Sequence, residues 1–519
     1  MKPFPTSRHL ISTMVVLAGV ILFTPATHAV NLGVDNRGQA LIFPYYTTRG
    51  GNDTLIAITN SLNRIGSYLS ADEDITNSLL TRALKVRLLE GEYGRVVLSF
   101  NLYMSGNSMW TAILSEQNGV PTLSTSDESC TIPHIDQTPL DLDNITDQPD
   151  SGRNTIDRLR EGYIEVIEMG RYSVYDFAST PVGPNGCEAI AAAWDPQNDG
   201  LWANDPQSVM LPPAGFITGS AVVIDVANAR AAAYNAVALQ NFYQPDGIND
   251  PPSLHTAPDN PEPSLNAAYP PISQIYLRSQ NQAELVSDEW PNGNLAVSAV
   301  LMSDALTQTY AIESVIGGQT EWVVTAPTLN ALTDITDGPA PPFSTTFDEP
   351  QPGQGDGRAC HSIGIDLYDR ETRKPPPPGP IGVPPPSNSD LLCFAVNTYL
   401  FKGAGADSVG NHGLFPDPRG HELDGTQSPL LGSRLFYNFN TDVTPGFEAG
   451  WFALRFSGLS FDGRFDFGHA LANPISNRVY SGLPVVGVSF QAATNRSINA
   501  LFGASAPLSP RYRILEPGN

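Results

Sequence analysis

The chain has 519 residues with 53 acidic and 28 basic side chains, a formal net charge of −25. That surplus repels phosphate backbones and anionic lipid head groups, so no nucleic-acid partner is expected. Pro (46) and Gly (45) are abundant while 41% of the residues are hydrophobic, which suits a folded β protein with long loops better than a disordered chain.

Residues 1–29 read as a leader rather than as fold. Lys2, Arg8 and His9 precede the apolar run Ile11–Phe23, and small residues lead to a cut after Ala29. This is the layout of a bacterial secretory signal peptide, and the run is shorter than the roughly 18–20 residues of a membrane span. The expected location is the periplasm, the cell surface or the medium, with no transmembrane helix in the mature protein.

Strands follow at Ala40–Thr47 and Asp53–Asn60, then an insertion at Asn60–Ala83 with a helical turn at Ser78–Arg82. In LKVRLLEG and RVVLSFNLYM, apolar Leu84, Val86, Leu88, Leu98, Phe100 and Leu102 alternate with Lys85, Arg87, Ser99 and Asn101. A period of two predicts one face on a core and the other in water. Pro44 marks the Tyr45-Tyr46 strand as an edge. Met109–Leu114 is a fifth strand, and 116–154 reads as a loop across one end of a sandwich.

Further on, Arg160–Met169 and Gly215–Val226 read as strands, with Gly219 a bulge or crowded point. Cys187–Trp194 and the Ala-rich Ala229–Phe242 read as helices. Gln244–Ile272 is an extended loop that Leu254, Leu265 and Tyr269 could pin. Strands return at Leu295–Met302, Thr309–Ser314, Thr320–Thr328, His361–Arg370, Leu391–Phe401, Gly450–Phe456 and Val485–Ala493. The proline-rich loop 373–386 is a stiff spacer between two of them. The expected fold is mainly β: two immunoglobulin-like antiparallel β-sandwich regions, 30–290 and 291–519, with long Pro/Gly/Asp-rich loops and a few short helices.

Four cysteines in an exported chain invite pairing in one of three ways. Neighbours in order, Cys130–Cys187 and Cys360–Cys393, would each close a loop within one region.

Chemistry is sparse. G-x-S-x-G, H-E-x-x-H and phosphate-loop motifs are absent, which favours a non-enzymatic protein without a cofactor. Zinc at the cysteines is a weak rival to disulfides, because no C-x-x-C or Cys/His spacing occurs apart from Cys360-His361. Calcium suits the acidic loops better: Asp141, Asp143, Asp147 and Asp150 share a loop that could offer several oxygens. The loop Asp195–Gly200 has the glycine of an EF-hand-like loop, but Pro206 stands where the bidentate Glu belongs. His412, Asp417, His421, Glu422 and Asp424 group two imidazoles with carboxylates at irregular spacing, which favours a surface loop. Tyr45, Tyr46, Tyr103 and Trp110 would suit a sugar or a protein if exposed in a row; core packing is the stronger expectation for Trp110.

GQALIFPYYTTRGGNDTLIAITNS, KVRLLEG, VLSFNLYMS and WTAIL, followed by TEWVVTAPT, ACHSIGIDLYDRE and LCFAVN, resemble in order the landmarks of a family of large secreted or envelope β proteins of Gram-negative bacteria. The resemblance implies export, β structure and placement outside the inner membrane, and carries over no site residue. The leading expectation is therefore a structural or adhesive envelope protein whose partners are surface proteins or polysaccharide. The alternatives are a carbohydrate or small-ligand binding module with a calcium-ordered loop, and an exported hydrolase.

Overall fold

A computed structural model describes residues 29–61, 80–146, 154–173, 184–279, 282–334, 338–343, 361–374, 390–402, 425–440, 446–457, 468–495 and 500–517. In chain order the long N-terminal strands are β1 (Ala40–Thr47), β2 (Asp53–Asn60), β3 (Leu80–Glu90), β4 (Val96–Met104), β5 (Met109–Gln117), β6 (Glu161–Ser173), β7 (Ile217–Asp225) and β8 (Arg230–Asn235). A seven-stranded sheet runs Asn31–Leu32, Val237–Gln240, β1, β6, β3, β4, Cys130–Ile132. A six-stranded sheet runs β8, β7, β2, β5, Val120–Ser124, Gln137–Pro139. All the ladders in both are antiparallel. Their alternating apolar positions, among them Ile56, Ile58, Leu84, Val86, Phe100 and Trp110, meet in one core. Gly219 of β7 is a crowded point: a Cβ there would fall 2.3 Å from the Phe43 ring.

The C-terminal strands include β9 (Ala305–Ala311), β10 (Gln319–Thr325), β11 (Gly364–Asp369), β12 (Ala449–Arg455), β13 (Val486–Asn495) and β14 (Ala500–Pro507). A five-stranded sheet runs Phe436–Asn440, Val396–Lys402, β10, β13, β14, with its first two strands parallel. A four-stranded sheet runs β11, β12, β9, Ser509–Arg511. Trp322 of β10 packs on Phe401 and, across the layer, on Phe452 of β12. Phe490 of β13 points the other way, against Tyr45 and Tyr234. The five-stranded sheet therefore has a partner on both faces. Leu41, Trp110, Trp322 and Phe452 belong to one continuous core, which crosses the 290/291 boundary. The fold is mainly β with antiparallel sheets, though seven and six strands in the first pair exceed the seven to nine of an immunoglobulin domain.

Several local expectations are corrected. Residues 81–90 of β3 are buried throughout, so its second face is not in water. The segment 244–271 lies over it: Leu254 N donates to Met169 O at 2.7 Å and Asn101 Nδ2 to Thr256 O at 2.9 Å. Alternation sorted the side chains properly, but a loop took the place of solvent. Pro44 does not mark an edge strand, because β1 lies between Val237–Gln240 and β6. It sits where the β1–β6 register slips, and Val237–Gln240 reaches only Ala40–Ile42, so the missing N–H breaks no ladder bond.

Ala229–Phe242 is not a helix but β8 and the strand Val237–Gln240. Asp225 accepts from Asn228 N at 3.0 Å and closes a turn, after which pairing with β7 overrides the alanine propensity. The reverse holds at 295–302, where a helix, Gly293–Leu301, replaces the expected strand. Asn292 caps it by accepting from Leu295 N at 2.9 Å, and burial on nearly every side erased the periodicity. Leu80–Arg82 is strand rather than helical turn, and the supposed loop 116–154 holds the strands Val120–Ser124, Cys130–Ile132 and Gln137–Pro139.

Candidate functional site

Buried charge is abundant, and it fastens the fold. Arg158 meets Glu90 at 3.1 Å with both side chains fully enclosed. Arg49 bridges Glu161 at 2.8 Å and Asp157 at 2.9 Å, and Arg434 reaches the same Asp157 at 2.7 Å from the C-terminal region. Arg82 pairs with Glu168 and Arg87 with Glu165 on the covered sheet. Lys85 Nζ donates to Ala257 O at 3.0 Å and Asn260 O at 2.7 Å. Burial, helped by the neighbouring Arg87, pushes its amine down to about 7. A neutral amine has two N–H groups, which these two carbonyls satisfy.

The predicted aromatic row is not exposed. Tyr45, Tyr46, Tyr103 and Trp110 are all buried. Tyr103 is the hub of an internal box with Tyr172, Trp194, Trp202 and His255. Its hydroxyl accepts from Trp194 Nε1 at 2.8 Å and donates to His255 Nε2 at 3.0 Å, while His255 Nδ1–H donates to Pro206 O at 2.7 Å. Burial pushes His255 down to about 4, in keeping with a neutral ring that donates on one side and accepts on the other. The Cys130–Cys187 disulfide, at a Cα–Cα distance of 5.1 Å, ties the helix Pro184–Ala193 to the sheet beside this box. Cys393 is buried; Cys360 lies outside the described residues.

Asp141 and Asp143 are exposed, and Asp141 Oδ1 accepts from Asp143 N at 2.8 Å to start the helical turn Asp143–Thr146. Asp147 and Asp150 lie outside the described residues, as do His412, Asp417, His421, Glu422 and Asp424, the leader, and most of the loop 373–386. Asp195 accepts from Gln197 N at 2.8 Å, capping a short turn. Among the described residues no group of three or more His, Cys, Asp and Glu could hold a metal. His361 and His469 pack edge to face in the core, ring centroids 5.2 Å apart. A cleft of about 270 Å³, counting its opening to solvent, lies near Ala231 and Gly503, and its Asp225 and Arg230 are already paired.

The outer face of the four-stranded sheet is different. Its register places Tyr368, Trp451 and Thr309 in one row, and Asp366, Ala453 and Thr307 in the next. Tyr368 and Trp451 stack with centroids 3.8 Å apart and planes 10° from parallel. Beyond β11, Asp369 accepts from Glu371 N at 2.9 Å and Arg373 N at 2.7 Å, folding the chain back. Lys374 then sits over the Tyr368 ring, its Nζ 5.0 Å from the centroid and 3.6 Å from Asp366. Arg455 Nε reaches the same carboxylate at 2.9 Å. Tyr368 and Trp451 are half-buried and Thr309 is exposed.

No family model, curated protein or solved structure matches this chain. Sequence reasoning overlooked the pair although the signal was present. In GIDLYD, Ile365 and Leu367 pack on the core; in AGWFALR, Phe452 and Leu454 do so. Strict alternation sends Tyr368 and Trp451 to the opposite side.

Proposed function

We propose that this is a non-enzymatic, exported β-sandwich protein of the cell envelope or surface that works through adhesive or structural contact. The observation that carries the reading is the division of labour between interior and surface. The buried ionisable groups described above fasten loops and sheets to one another, whereas two sheet faces are left open by the described residues. One is the Tyr368–Trp451 face. The other, on the six-stranded sheet, has rows Ala233–Val222–Leu55–Ile113 and Asn235–Ser220–Ala57–Thr111, with Asp53 the one charge among the outward positions of β2, β5, β7 and β8. Open antiparallel faces normally carry many charges, so the charge-poor face of the six-stranded sheet, and the stacked aromatic pair amid balanced charges on the other, suit contact with a surface.

Export is supported by the leader-like N-terminus, by the Cys130–Cys187 disulfide, which persists in oxidising compartments, and by the resemblance to Gram-negative envelope proteins. The test is fractionation of the native organism with protease shaving of intact cells. Loss of the chain on shaving, or its recovery from periplasm or medium with the leader removed, is expected. Recovery from the cytosol with residues 1–29 still attached would sink the proposal.

A further inference from the structure

We infer that the outer face of the four-stranded sheet binds a neutral hexopyranose polymer, one sugar ring resting on Trp451 above Thr309. The inference deepens the adhesive reading by naming the partner chemistry of one open face.

Three features carry it. The first is shape. Neighbouring strands lie about 4.8 Å apart, and the row Tyr368–Trp451–Thr309 drops from two large rings to a short, exposed side chain. Tyr368 covers one face of the Trp451 indole, and Lys374 lies over the Tyr368 ring. On the side away from Tyr368 the register sets Trp451 beside Thr309, whose short side chain is exposed, so among the described residues the row steps down there. A pyranose presents C–H groups on its flat side and fits such a ledge by stacking, as aromatic rings do with apolar partners.

The second is the polar rim. Hydroxyls at a sugar's edge need both donors and acceptors. Asp366, Lys374, Arg455, Thr307 and Ser509 supply them in the adjacent rows. The Asp366 side chain keeps 19% exposure and Lys374 46%, so both can reach a ligand without leaving their pair. A mostly apolar platform with a few convergent polar groups is the usual make-up of a small-ligand site.

The third is charge. Asp366 is flanked by two cations, Arg370 pairs with Glu313, and Arg373 pairs with Asp369 and Glu371. The cations here are balanced, so the patch has no surplus for an anionic polymer, and the −25 of the whole chain opposes one. That selects a neutral glycan over a uronate chain.

The test is isothermal titration of the mature full-length protein with cellohexaose, maltohexaose and chitohexaose, and with polygalacturonate as the anionic arm. At least one neutral hexaose should bind, with Kd on the order of 1 mM or tighter for a single platform. Trp451→Ala should weaken that binding at least tenfold. Thr309→Trp fills the step while keeping both rings, and should do the same. Circular dichroism of each variant must match the parent; if Trp451→Ala misfolds, Thr309→Trp alone decides. No heat from the three neutral hexaoses up to about 10 mM, binding confined to polygalacturonate, or unchanged affinity in a folded variant would each overturn the inference. A negative titration with the chain still shaved from intact cells would remove the glycan and leave the adhesive reading standing.

Discussion

The Glu321 carboxylate of β10 accepts the backbone N–H of Leu430 at 2.7 Å. It also accepts from Ser428 Oγ at 2.7 Å and Leu431 N at 3.1 Å, so one buried side chain takes three donors of a single turn. The carbonyls of that turn face the other region: Thr47 Oγ1 donates to Leu431 O and Asn52 Nδ2 to Leu430 O, each at 3.3 Å. The turn 428–431 is thus gripped by strands from both halves of the chain.

That grip depends on pH. Burial raises the Glu321 carboxyl from its ordinary 4.5 to about 7, against the opposing pull of Ser428, the two amides and Arg230. The folded state therefore holds the proton more tightly than the unfolded state between these values. The stability it contributes is complete below 4.5 and is lost as pH rises through 7. Glu321→Gln removes this titration. Melting curves at pH 5, 6.5 and 8 should show the parent losing Tm across the series more steeply than the variant, and parallel curves would refute the assignment.

Lys85 has the opposite sign. Its amine falls from 10.5 to about 7 on folding, so between those values the unfolded state binds the extra proton and stability climbs with pH. Lys85→Met should flatten that climb. It should also cost about 1–3 kcal/mol above pH 9 by leaving the Ala257 and Asn260 carbonyls without this donor. Urea midpoints at pH 7 and 9.5 measure both effects. A parent with no rise between the two values would show that the amine keeps its charge.

The fates of Lys85 and Trp451 show what the sequence discloses. Period two sets Lys85 on the side of its strand away from the apolar residues, and the same alternation in AGWFALR, overlooked in the sequence, sets Trp451 there. Yet Lys85 is buried and Trp451 half-buried, because the segment 244–271 folds over one sheet while the described chain leaves the other open. A sequence pattern records which side of a strand a residue takes; what later packs there depends on contacts some 170 residues away, which no local window contains. The same limit explains why 229–242 and 293–301 exchanged types. Alanine spacing competes with a turn closed by Asp225, and a helix buried on nearly every side has no polar stripe to reveal its period.

The disulfide carries the next prediction. Cys130 and Cys187 stand 57 residues apart, so closing their loop is worth ~4 kcal/mol in the chain-entropy account. Replacing both with Ser should lower stability by about that amount. Because the helix Pro184–Ala193 leads directly to Trp194, the variant's tryptophan emission should also shift to the red before global unfolding. An unchanged melting temperature would mean that the loop is already ordered without the bond.

Glu90 offers the sharpest test of fastening as the role of buried charge. Its Oε1 accepts from Tyr93 N at 3.0 Å, Arg95 N at 2.9 Å and Arg158 Nη2 at 3.1 Å, and its Oε2 accepts from Glu92 N at 2.7 Å. Glu90→Leu takes the facing carboxylate from the buried Arg158 guanidinium, which keeps its place over the Tyr93 ring at 5.0 Å. The single change should cost about 3–5 kcal/mol, the usual penalty for breaking an enclosed pair. Arg158→Met alone should also destabilise, by leaving Glu90 charged against fewer donors. The double variant should then recover part of the summed loss, since an apolar pair of similar size carries no desolvated charge. Urea denaturation of the four proteins completes the cycle. Additive losses would mean that Glu90 serves its own turn and Arg158 serves something else.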